Sequence, residues 1–231
     1  MTGSVLDRYR VIRDEIAAAC SRAGRAESEV VVIGAAKRQP RDRVLAAWDA
    51  GLRHFGDNRV QEAEALAEVL PPGAVRHLIG PLQSNKAKRA AALFDAVHSV
   101  DRLKIARALD RHAAEAGRRI EAFLEVNLGG EETKHGFPPH GLPARVEPLA
   151  ELESLYVVGL MAIPPQESDP ERARLWFRRL RELRDELFAL PPWAGRPGRL
   201  SMGMSADFAV AIEEGATHVR IGTALFGPRP S

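Results

Sequence analysis

The strongest constraint on the fold of this chain is the regular alternation of short apolar segments with segments of helical periodicity. Eight segments are predicted to be β-strands, namely 30–35, 53–56, 75–79, 96–100, 121–127, 156–161, 199–202 and 217–221. Continuous apolar runs such as 30–35 favour strands that are buried on both faces of a sheet. Strict alternation of strands and helices implies right-handed crossovers and a parallel sheet. Eight such units in 231 residues match the size of a (β/α)8 barrel, the TIM barrel.

An open, doubly wound sheet is the alternative, but no Gly-x-Gly-x-x-Gly turn follows the first strand. Ahead of that strand, Val5, Tyr9, Ile12, Ile16 and Cys20 recur close to the 3.6-residue period, which predicts an extra N-terminal helix ending near residue 24. No interdomain linker or internal repeat is apparent. The sequence therefore predicts an α/β protein in which residues 1–231 form a single TIM-barrel domain.

The composition is that of an ordinary globular protein, with 45% hydrophobic residues, 28% charged residues and a net charge of +2. The single cysteine, Cys20, excludes an internal disulfide and suits a reducing compartment. No apolar run approaches the length of a membrane span, and the first residues have no secretory apolar region. A cytoplasmic location is therefore expected.

Lys37 is the candidate reactive residue, because it directly follows the apolar run 30–36. A lysine at the exit of a buried strand is costly unless its ammonium group meets water, a partner or a ligand. A partly desolvated amine in such a place is suited to forming a Schiff base with an aldehyde, and the adjacent Arg38 would also favour the neutral amine. Taken alone, a lysine in this position is more often a surface residue after a strand. The loops near the carboxyl end of the chain favour the reactive interpretation instead.

Two glycine-containing loops follow predicted strands seven and eight, where barrels commonly bind phosphate. Gly203 and Gly222 allow backbone N–H groups to approach an anion closely, while Ser201 and Thr223 add hydroxyl donors. Helices predicted to begin near Ser205 and Thr223 would add the positive ends of their dipoles. Either loop alone is explained by ordinary strand-end turns, whereas the pair at the two expected positions predicts a phosphate site.

Arg220 lies within predicted strand eight, where a charged side chain must face solvent or the ligand-binding mouth of the barrel. An arginine can hold the nitrogen of a pyridine ring, and because it is always charged it donates to that nitrogen and keeps it unprotonated. Such a ring is a weaker electron sink than one protonated by an aspartate. The competing interpretation is a salt bridge at the barrel rim.

Two further polar residues lie near strand exits, Asn58 after strand two and His77 within strand three. Both are candidates for contacts with a ligand ring or its substituents. The alternative for Asn58 is a helix N-cap, and the alternative for His77 is a buried histidine with satisfied hydrogen bonds. The sequence alone does not separate these alternatives.

Other chemical signatures are absent from the sequence. The seven histidines have no metal-ligand spacing, and neither a Gly-x-Ser-x-Gly elbow nor a Walker loop occurs, so no metal site is predicted. The arginine-rich stretch 172–184 is predicted to lie in a helix whose arginines are solvated. Its inward face would be formed by Leu175, Leu180, Leu183 and Leu187.

Several blocks, in the same order, resemble the pyridoxal 5′-phosphate (PLP) homeostasis protein family, whose members look like the barrel domain of alanine racemase standing alone. The resemblance extends from about Val30 to Arg229. The blocks that carry it are 79–86 (IGPLQSNK), 98–103 (HSVDRL), 159–164 (GLMAIP), 200–205 (LSMGMS) and 219–227 (VRIGTALFG).

The resemblance implies that the cofactor is PLP, that Lys37 holds it as a Schiff base and that Arg220 faces the pyridine nitrogen. It also implies that Ser201, Gly222 and Thr223 hold the phosphate. Asn58 would contact the ring, and Met161 and His77 would lie near the cofactor. No residue is assigned a catalytic role.

Some positions depart from the family pattern. Ala36 precedes the lysine where serine is usual, Arg38 and Gln39 follow it where Thr-Lys is usual, and Arg59 stands where an aromatic residue is common. These changes leave the main cofactor contacts intact but alter the polarity of the site mouth. Lys134 also matches a family lysine. It is either a second contact for the aldehyde or a solvated lysine in a loop.

The resemblance implies a PLP-binding protein that keeps PLP and amino-acid pools in balance, by buffering PLP or delivering it to apo PLP-dependent enzymes. The alternative is a PLP-dependent amino-acid racemase. Racemisation needs a second acid–base group on the opposite face of the substrate, which in alanine racemase is a tyrosine from a second domain. The chain ends at Ser231 without such a domain, and its two tyrosines, Tyr9 and Tyr156, are predicted to lie away from the site. Racemase turnover is therefore expected to be absent or vestigial.

Two further expectations follow from the same reasoning. The near-neutral net charge disfavours a nucleic-acid-binding function, which would require a basic surface. A monomer is expected, because the second domain of the racemase is a dimer-building element.

Overall fold

The computed structural model describes residues 3–131, 135–165 and 169–228, and eight parallel strands in it close into a barrel in sequence order. The strands are β1 Val31–Ala35, β2 His54–Asp57, β3 Val75–Leu78, β4 Ala96–Val100, β5 Ile120–Glu125, β6 Leu155–Met161, β7 Arg199–Met204 and β8 His218–Ile221. β1 pairs with both β2 and β8, which closes the sheet. The predicted barrel is confirmed, and the strand bounds differ from prediction by one or two residues.

Helices alternate with the strands and cover the outside of the barrel. They are α1 Val5–Ala23, α2 Arg41–Asp49, α3 Val60–Ala67, α4 Ala87–Leu93, α5 Leu103–Glu115, α6 Val146–Ala150, α7 Pro170–Phe188, α8 Phe208–Glu213 and α9 Thr223–Phe226. Short 3-10 helices lie at Glu27–Glu29, Ser84–Lys86, Pro139–Gly141 and Pro143–Arg145. No described helix is long and apolar enough to cross a membrane.

The extra N-terminal helix predicted from the sequence is α1, which precedes the first strand. The Ser4 Oγ accepts a hydrogen bond from the backbone N–H of Asp7, and the Ser4 backbone N–H donates to the Asp7 carboxylate, which forms a capping box. Gly24 ends the helix in a left-handed conformation with φ of 66°. The buried face of α1, which includes Ile12 and Ile16, packs onto α8 and α9 beside the junction of β1 and β8.

Two apolar layers hold the barrel together. The larger one lies between the strands and the helices and includes Leu109, Phe177 and Trp193. The smaller one is inside the barrel, where Phe123, Val158 and Met161 pack together. The barrel interior is otherwise rich in polar side chains, so it does not follow the usual pattern of layers of branched apolar residues.

Gly159 shows why the block 159–164 begins with glycine. It pairs with Arg199 where β6 meets β7, and a Cβ atom at this position would overlap the carbonyl oxygen of Arg199. The two backbones therefore approach each other more closely than a side chain allows.

The predicted orientation of α7 was only partly right. Leu180 and Leu187 are buried as expected, but the side chain of Leu175 is 53% exposed. The prediction that the arginines are solvated holds for Arg178, which is exposed, whereas Arg174 and Arg181 are half-buried. All three pair with Glu214, which follows α8. These arginines share one helical face at i, i+4 and i+7 spacing, and a buried carboxylate lies opposite them.

Glu214 is 4% exposed, and replacing it with glutamine should destabilise the fold. Burial acts to raise the pKa of Glu214, but the hydrogen bond from Arg178 and the charges of Arg181 and Arg178 outweigh it, so the pKa lies below its usual value. We expect Glu214→Gln to lower the free energy of unfolding by about 1–2 kcal/mol at neutral pH, measured by urea denaturation.

The matched control is Glu186→Gln on the exposed face of α7, which should change stability by less than about 0.5 kcal/mol. The Glu214→Gln effect should vanish as the pH falls through the lowered pKa of Glu214, because wild type then also holds a neutral side chain there. Equal stability of the two variants at neutral pH would contradict the role given to Glu214.

Candidate functional site

A cavity of about 340 Å³ lies at the carboxyl ends of the strands, and it is called here the strand-end cavity. Five of the eight predicted cofactor-binding residues line it: Lys37, Asn58, Arg220, Gly222 and Thr223. The remaining wall is formed by Ala35, Gln39, Ile79, Ile163, Met204, Ser205 and Ala206. The barrel therefore brings together residues that are almost two hundred positions apart in the chain, as the prediction of a barrel with its site at the strand ends required.

Lys37 is presented by a tight turn at the end of β1. The Ala36 N–H donates to the Gly56 carbonyl (3.0 Å), which extends the pairing of β1 with β2, and the Gln39 N–H donates back to the Ala36 carbonyl (2.9 Å). Arg38 takes the left-handed region with φ of 55°, which costs on the order of 1 kcal/mol for a non-glycine residue. This turn places the half-buried Lys37 on the cavity wall.

Asn58 follows β2 and reaches the cavity because the exit of β3 lies directly against its backbone. A Cβ atom on Gly80 would overlap the Asn58 carbonyl oxygen and its Cα atom, so this contact requires glycine. Gly80 therefore allows the backbone at Asn58 to pack directly against the loop that contains Pro81.

The loops after β7 and β8 meet through Ser205. Its Oγ accepts hydrogen bonds from the backbone N–H groups of Gly222 (3.3 Å) and Ala224 (3.4 Å). Gly203 has φ of 90°, and a Cβ atom there would lie 2.6 Å from the Ala211 Cβ, so only glycine fits. These loops bring the backbone of Gly222 and the hydroxyl groups of Ser205 and Thr223 to one wall of the cavity, which is a chemical set that suits a phosphate.

Ser201 does not lie where the predicted phosphate contact would require it. It is 0% exposed and sits inside the barrel, below the wall that Ser205 forms. Its Oγ accepts a hydrogen bond from Arg220 (2.9 Å) and bonds to the His98 ring (2.8 Å). The physical reason is the strand alternation, which turns Ser201 inward three residues before β7 ends.

Arg220 is 5% exposed and projects from β8 into the upper end of the barrel. One terminal nitrogen donates to the carbonyl of Ser201 (3.0 Å) and to its hydroxyl (2.9 Å), and the other donates to the carbonyl of Ala162 (3.0 Å). Burial lowers the pKa of Arg220 to about 10, an effect opposed by Asp207 and Glu125, so the guanidinium stays charged at neutral pH.

The competing interpretation of Arg220 as a rim salt bridge does not fit its contacts. Within the described ranges no carboxylate lies within ion-pair distance of this guanidinium. Its partners are neutral acceptors, and it faces the cavity. A guanidinium has five N–H donors, so it retains donors for a ligand in addition to those three bonds.

His77 and Met161 lie below the cavity and do not form its wall. His77 is 2% exposed, and both its ring nitrogens bond to other histidines, to His54 at 2.9 Å and to His98 at 2.9 Å. This geometry corresponds to the alternative of a satisfied buried histidine rather than to a ligand contact. Met161 is buried against Phe123 in the inner apolar layer.

A second, larger cavity of about 780 Å³ adjoins the first, and Lys37 and Asn58 line both. It is called here the side cavity, and its walls come from the residues after β2, β3 and β4. Arg59 and Lys86 also line it, and neither forms an ion pair with a described residue. Lys37 therefore borders open space on two sides.

Lys134, predicted as a second aldehyde contact or a solvated residue, lies outside the described residues.

The described residues contain no group of three or more histidine, cysteine, aspartate or glutamate side chains placed to hold a metal ion. Four of the seven histidines nevertheless lie on barrel strands: His54, His77, His98 and His218. Among these four, only His77 was predicted from the sequence to lie near the site. Their position on strands that are covered by helices was the signal that could have identified a polar interior.

Asp57, at the end of β2, is a buried carboxyl beside the site. Burial, reinforced by the nearby charge of Glu62, raises its pKa to about 7. Between about pH 4 and pH 7 the folded protein therefore keeps a proton on Asp57, whereas an unfolded aspartate, with a pKa of roughly 4, has released it. Stability should consequently fall as the pH rises from about 4 to 7, and the penalty should be complete above that range.

Asp57→Asn should remove this pH dependence, because the amide stays neutral throughout. We expect the variant to be more stable than wild type by about 1–3 kcal/mol near pH 8 and equally stable near pH 4, measured by denaturant unfolding. Asp14→Asn on the exposed face of α1 is the control and should match wild type at both pH values. A stability difference that is the same at both pH values would show that Asp57 is ionised in the folded protein.

Comparison with known proteins gives a consistent result. The sequence model described as "Alanine racemase, N-terminal domain" matches residues 11–230. A pyridoxal phosphate homeostasis protein of Aquifex aeolicus is 44% identical over 229 residues, which covers 96% of this chain and 97% of the relative. Another from Pseudomonas aeruginosa is 41% identical over 228 residues, covering 98% of this chain and 96% of the relative.

The solved structures agree with these relatives. PipY of Synechococcus elongatus, in a structure with PLP bound, superposes with a TM-score of 0.84 at 37% identity, covering 97% of this chain and 100% of that one. Alanine racemase of Clostridium difficile shares the fold alone, with a TM-score of 0.71 at 16% identity, and the match covers 97% of this chain but 57% of the racemase. Fold, length and sequence together show that the chain belongs to the pyridoxal phosphate homeostasis protein family, whose barrel is that of the alanine racemase N-terminal domain.

Proposed function

We propose that this protein binds PLP reversibly in the strand-end cavity, with Lys37 as the covalent anchor, and acts in PLP homeostasis by buffering or delivering the cofactor. The observation that carries the proposal is the presence of an amine, a buried guanidinium and a phosphate-type loop pair around one cavity of about 340 Å³. PLP needs three such partners, for its aldehyde, its pyridine nitrogen and its phosphate. The relatives named above support the assignment.

The residues of the cavity divide among these three tasks. When bound, PLP supplies an aldehyde that condenses reversibly with a primary amine, together with a ring that can accept electrons. Lys37 offers the amine, and Arg220 offers donors to the pyridine nitrogen. The backbone of Gly222 and the hydroxyl of Thr223 serve the phosphate, and Asn58 is left to contact the ring. Besides Thr223, we assign the Ser205 hydroxyl as a phosphate contact in place of Ser201, because Ser205 lines the cavity.

The charge on Arg220 limits how strong an electron sink the bound ring can be. A guanidinium that stays protonated can only donate, so the pyridine nitrogen bonded to it stays unprotonated and the ring remains a weak electron sink. A strong sink is what stabilises the carbanion formed during racemisation. Arg220 therefore supports binding while it removes part of the driving force for amino-acid chemistry.

The positions of the two tyrosines also support a carrier without racemase turnover. Tyr156 lies near the start of β6, at the opposite end of the barrel, where the guanidinium of Arg119 is 4.1 Å from its ring centroid. Tyr9 lies on α1 outside the barrel. Neither tyrosine lines the strand-end cavity or the side cavity, so neither is placed as a second acid–base group opposite Lys37.

The side cavity offers a route by which PLP leaves Lys37. Because Lys37 lines both cavities, a second amine that enters the side cavity meets the same reactive position from the other side. We propose that apo PLP-dependent enzymes, or small amines, receive PLP by this route. We further propose that the chain works as a monomeric single domain in the cytoplasm, where its one cysteine, Cys20, is buried and unpaired.

The first test is the visible spectrum of the purified protein with added PLP, beside Lys37→Ala. We expect wild type to show the absorption of a Schiff base and Lys37→Ala to lack it, because Lys37 is the only lysine among the described residues that line the strand-end cavity. Borohydride reduction followed by peptide mass mapping should place the PLP adduct on Lys37.

The matched control is Lys104→Ala, which removes an exposed lysine on α5 and should leave the spectrum and the mapped adduct unchanged. An adduct that persists in Lys37→Ala at wild-type level would overturn the assignment of the anchor.

The second test measures racemisation of several amino acids by the PLP-loaded protein. We expect rates at the level of free PLP, and no further loss in Tyr9→Phe or Tyr156→Phe, because both rings lie away from the cavities. A Lys37-dependent rate well above that of free PLP would favour the racemase alternative.

A further inference from the structure

A continuous chain of hydrogen bonds crosses the barrel interior and ends on Arg220. His54 Nδ1 lies 2.9 Å from His77 Nε2, and His77 Nδ1 lies 2.9 Å from His98 Nε2. His98 Nδ1 lies 2.8 Å from Ser201 Oγ, which accepts from Arg220 at 2.9 Å. His54, His77, His98 and Ser201 are called here the histidine chain, and they come from β2, β3, β4 and β7.

Arg220 determines the direction of every hydrogen bond in this chain. A guanidinium can only donate, so one lone pair of Ser201 Oγ is occupied and its O–H is available to donate to His98 Nδ1. His98 must then carry its proton on Nε2 and donate to His77 Nδ1, and His77 must in turn donate from Nε2 to His54 Nδ1. All three rings are assigned as neutral Nε2–H tautomers.

The opposite direction leaves a buried group unsatisfied. If the histidines donated toward Ser201, its Oγ would accept from both His98 and Arg220, and its own proton would need a different acceptor. Within the described ranges Ser201 Oγ has no hydrogen-bond partner besides His98 and Arg220, and Ser201 is fully buried. An unmet buried donor costs roughly 1–3 kcal/mol, so the direction set by Arg220 prevails.

The surroundings keep the rings neutral and fixed. Burial, followed by the charges that neighbouring histidines would carry, holds the pKa of His77 and of His98 well below the usual range. The His98 ring also stacks on Phe123, with 4.2 Å between ring centroids and an angle of 18° between the planes. A stacked ring with both nitrogens bonded has one orientation, and its Nδ1 acceptor is therefore held at a fixed point.

We propose that the histidine chain positions Arg220 for the cofactor: His98, oriented by His77 and His54, holds the Ser201 hydroxyl so that it accepts from Arg220 and directs the remaining guanidinium donors into the strand-end cavity. The role of Arg220 toward a pyridine nitrogen rests on the proposed function, whereas the direction of the chain does not. His54, His77, His98 and Ser201 are positioning residues that contact no ligand themselves.

The positioning matters because arginine is long and flexible. Its three bonds end on two residues, Ser201 and Ala162, and the Ser201 hydroxyl is the one side-chain acceptor among them. If His98 no longer accepts from it, the Ser201 hydroxyl loses its only fixed acceptor among the described residues and is free to rotate, so its lone pair is no longer held toward Arg220. The guanidinium then keeps only the two backbone carbonyls as fixed acceptors.

The first experiment is performed on ligand-free wild type and does not depend on PLP. Two-bond ¹⁵N–¹H correlation spectra of histidine-labelled protein at neutral pH should show His77 and His98 as neutral Nε2–H tautomers. Single His→Phe variants serve to assign the signals. A Nδ1–H tautomer or a cationic ring at His98 would overturn the proposed direction of the chain, whether or not PLP binds.

The second experiment compares His98→Phe with His98→Asn in the PLP-binding protein. Phenylalanine keeps the stacking on Phe123 but cannot accept from Ser201, whereas the asparagine Oδ1 takes the place of the Nδ1 acceptor. We expect the Kd for PLP to rise about tenfold in His98→Phe, with a shifted absorption maximum of the bound cofactor. In His98→Asn the Kd should stay within about threefold of wild type and the absorption maximum should be restored.

The matched control is His218→Phe, which makes the same substitution in the same barrel interior but outside the chain. His218 bonds to Thr217 at 2.9 Å, and its ring centroid lies 6.0 Å from that of His98. This variant should keep the wild-type absorption maximum of the bound cofactor. Equal spectral changes in all three variants, or none in His98→Phe, would show that the chain only packs the core and does not position Arg220.

Discussion

The structure depends on the burial of one positive charge. Arg220 lies almost fully enclosed at the upper end of the barrel, and its guanidinium must be surrounded by acceptors if the charge is to be retained there. The carbonyls of Ser201 and Ala162 and the Ser201 hydroxyl meet this need from two neighbouring strands. The Ser201 hydroxyl is bonded in turn to His98, which connects the buried charge to the polar side chains inside the barrel.

The closed sheet determines what else lies near that charge. Parallel strands all end at one edge, so the turn after β1, the loop after β2 and the loops after β7 and β8 meet around Arg220. Close backbone contacts at Gly80 and Gly203 hold these loops in place, since a side chain at either position would overlap its neighbours. Lys37 lines two cavities as a result, which is the arrangement that the proposed anchoring and release of PLP would use.

The architecture and most of the site were predictable from the sequence because both depend on local patterns. The alternation of apolar strands with amphipathic helices predicted all eight strands, and the position of Lys37 after β1 predicted its place on the cavity. Roles that depend on the direction of a side chain were harder to predict from the sequence. Ser201 and Ser205 belong to the same block, yet only Ser205 lines the cavity, because Ser201 is turned inward before β7 ends. The pairing of three α7 arginines with the buried Glu214 was not predicted, because Glu214 lies far from them in the sequence.

The sequence by itself determined the strand and helix pattern, the residues available at each strand end and the family to which the chain belongs. Only the tertiary structure decided which of those residues share a cavity and which support others from within the barrel. His77 illustrates the difference, since a histidine on a strand can face a ligand or a neighbour, and here both its nitrogens meet other histidines from adjacent strands. The physical reason is that hydrogen bonds across a barrel join residues whose separation in the chain is unrelated to their separation in space, so no local pattern encodes them.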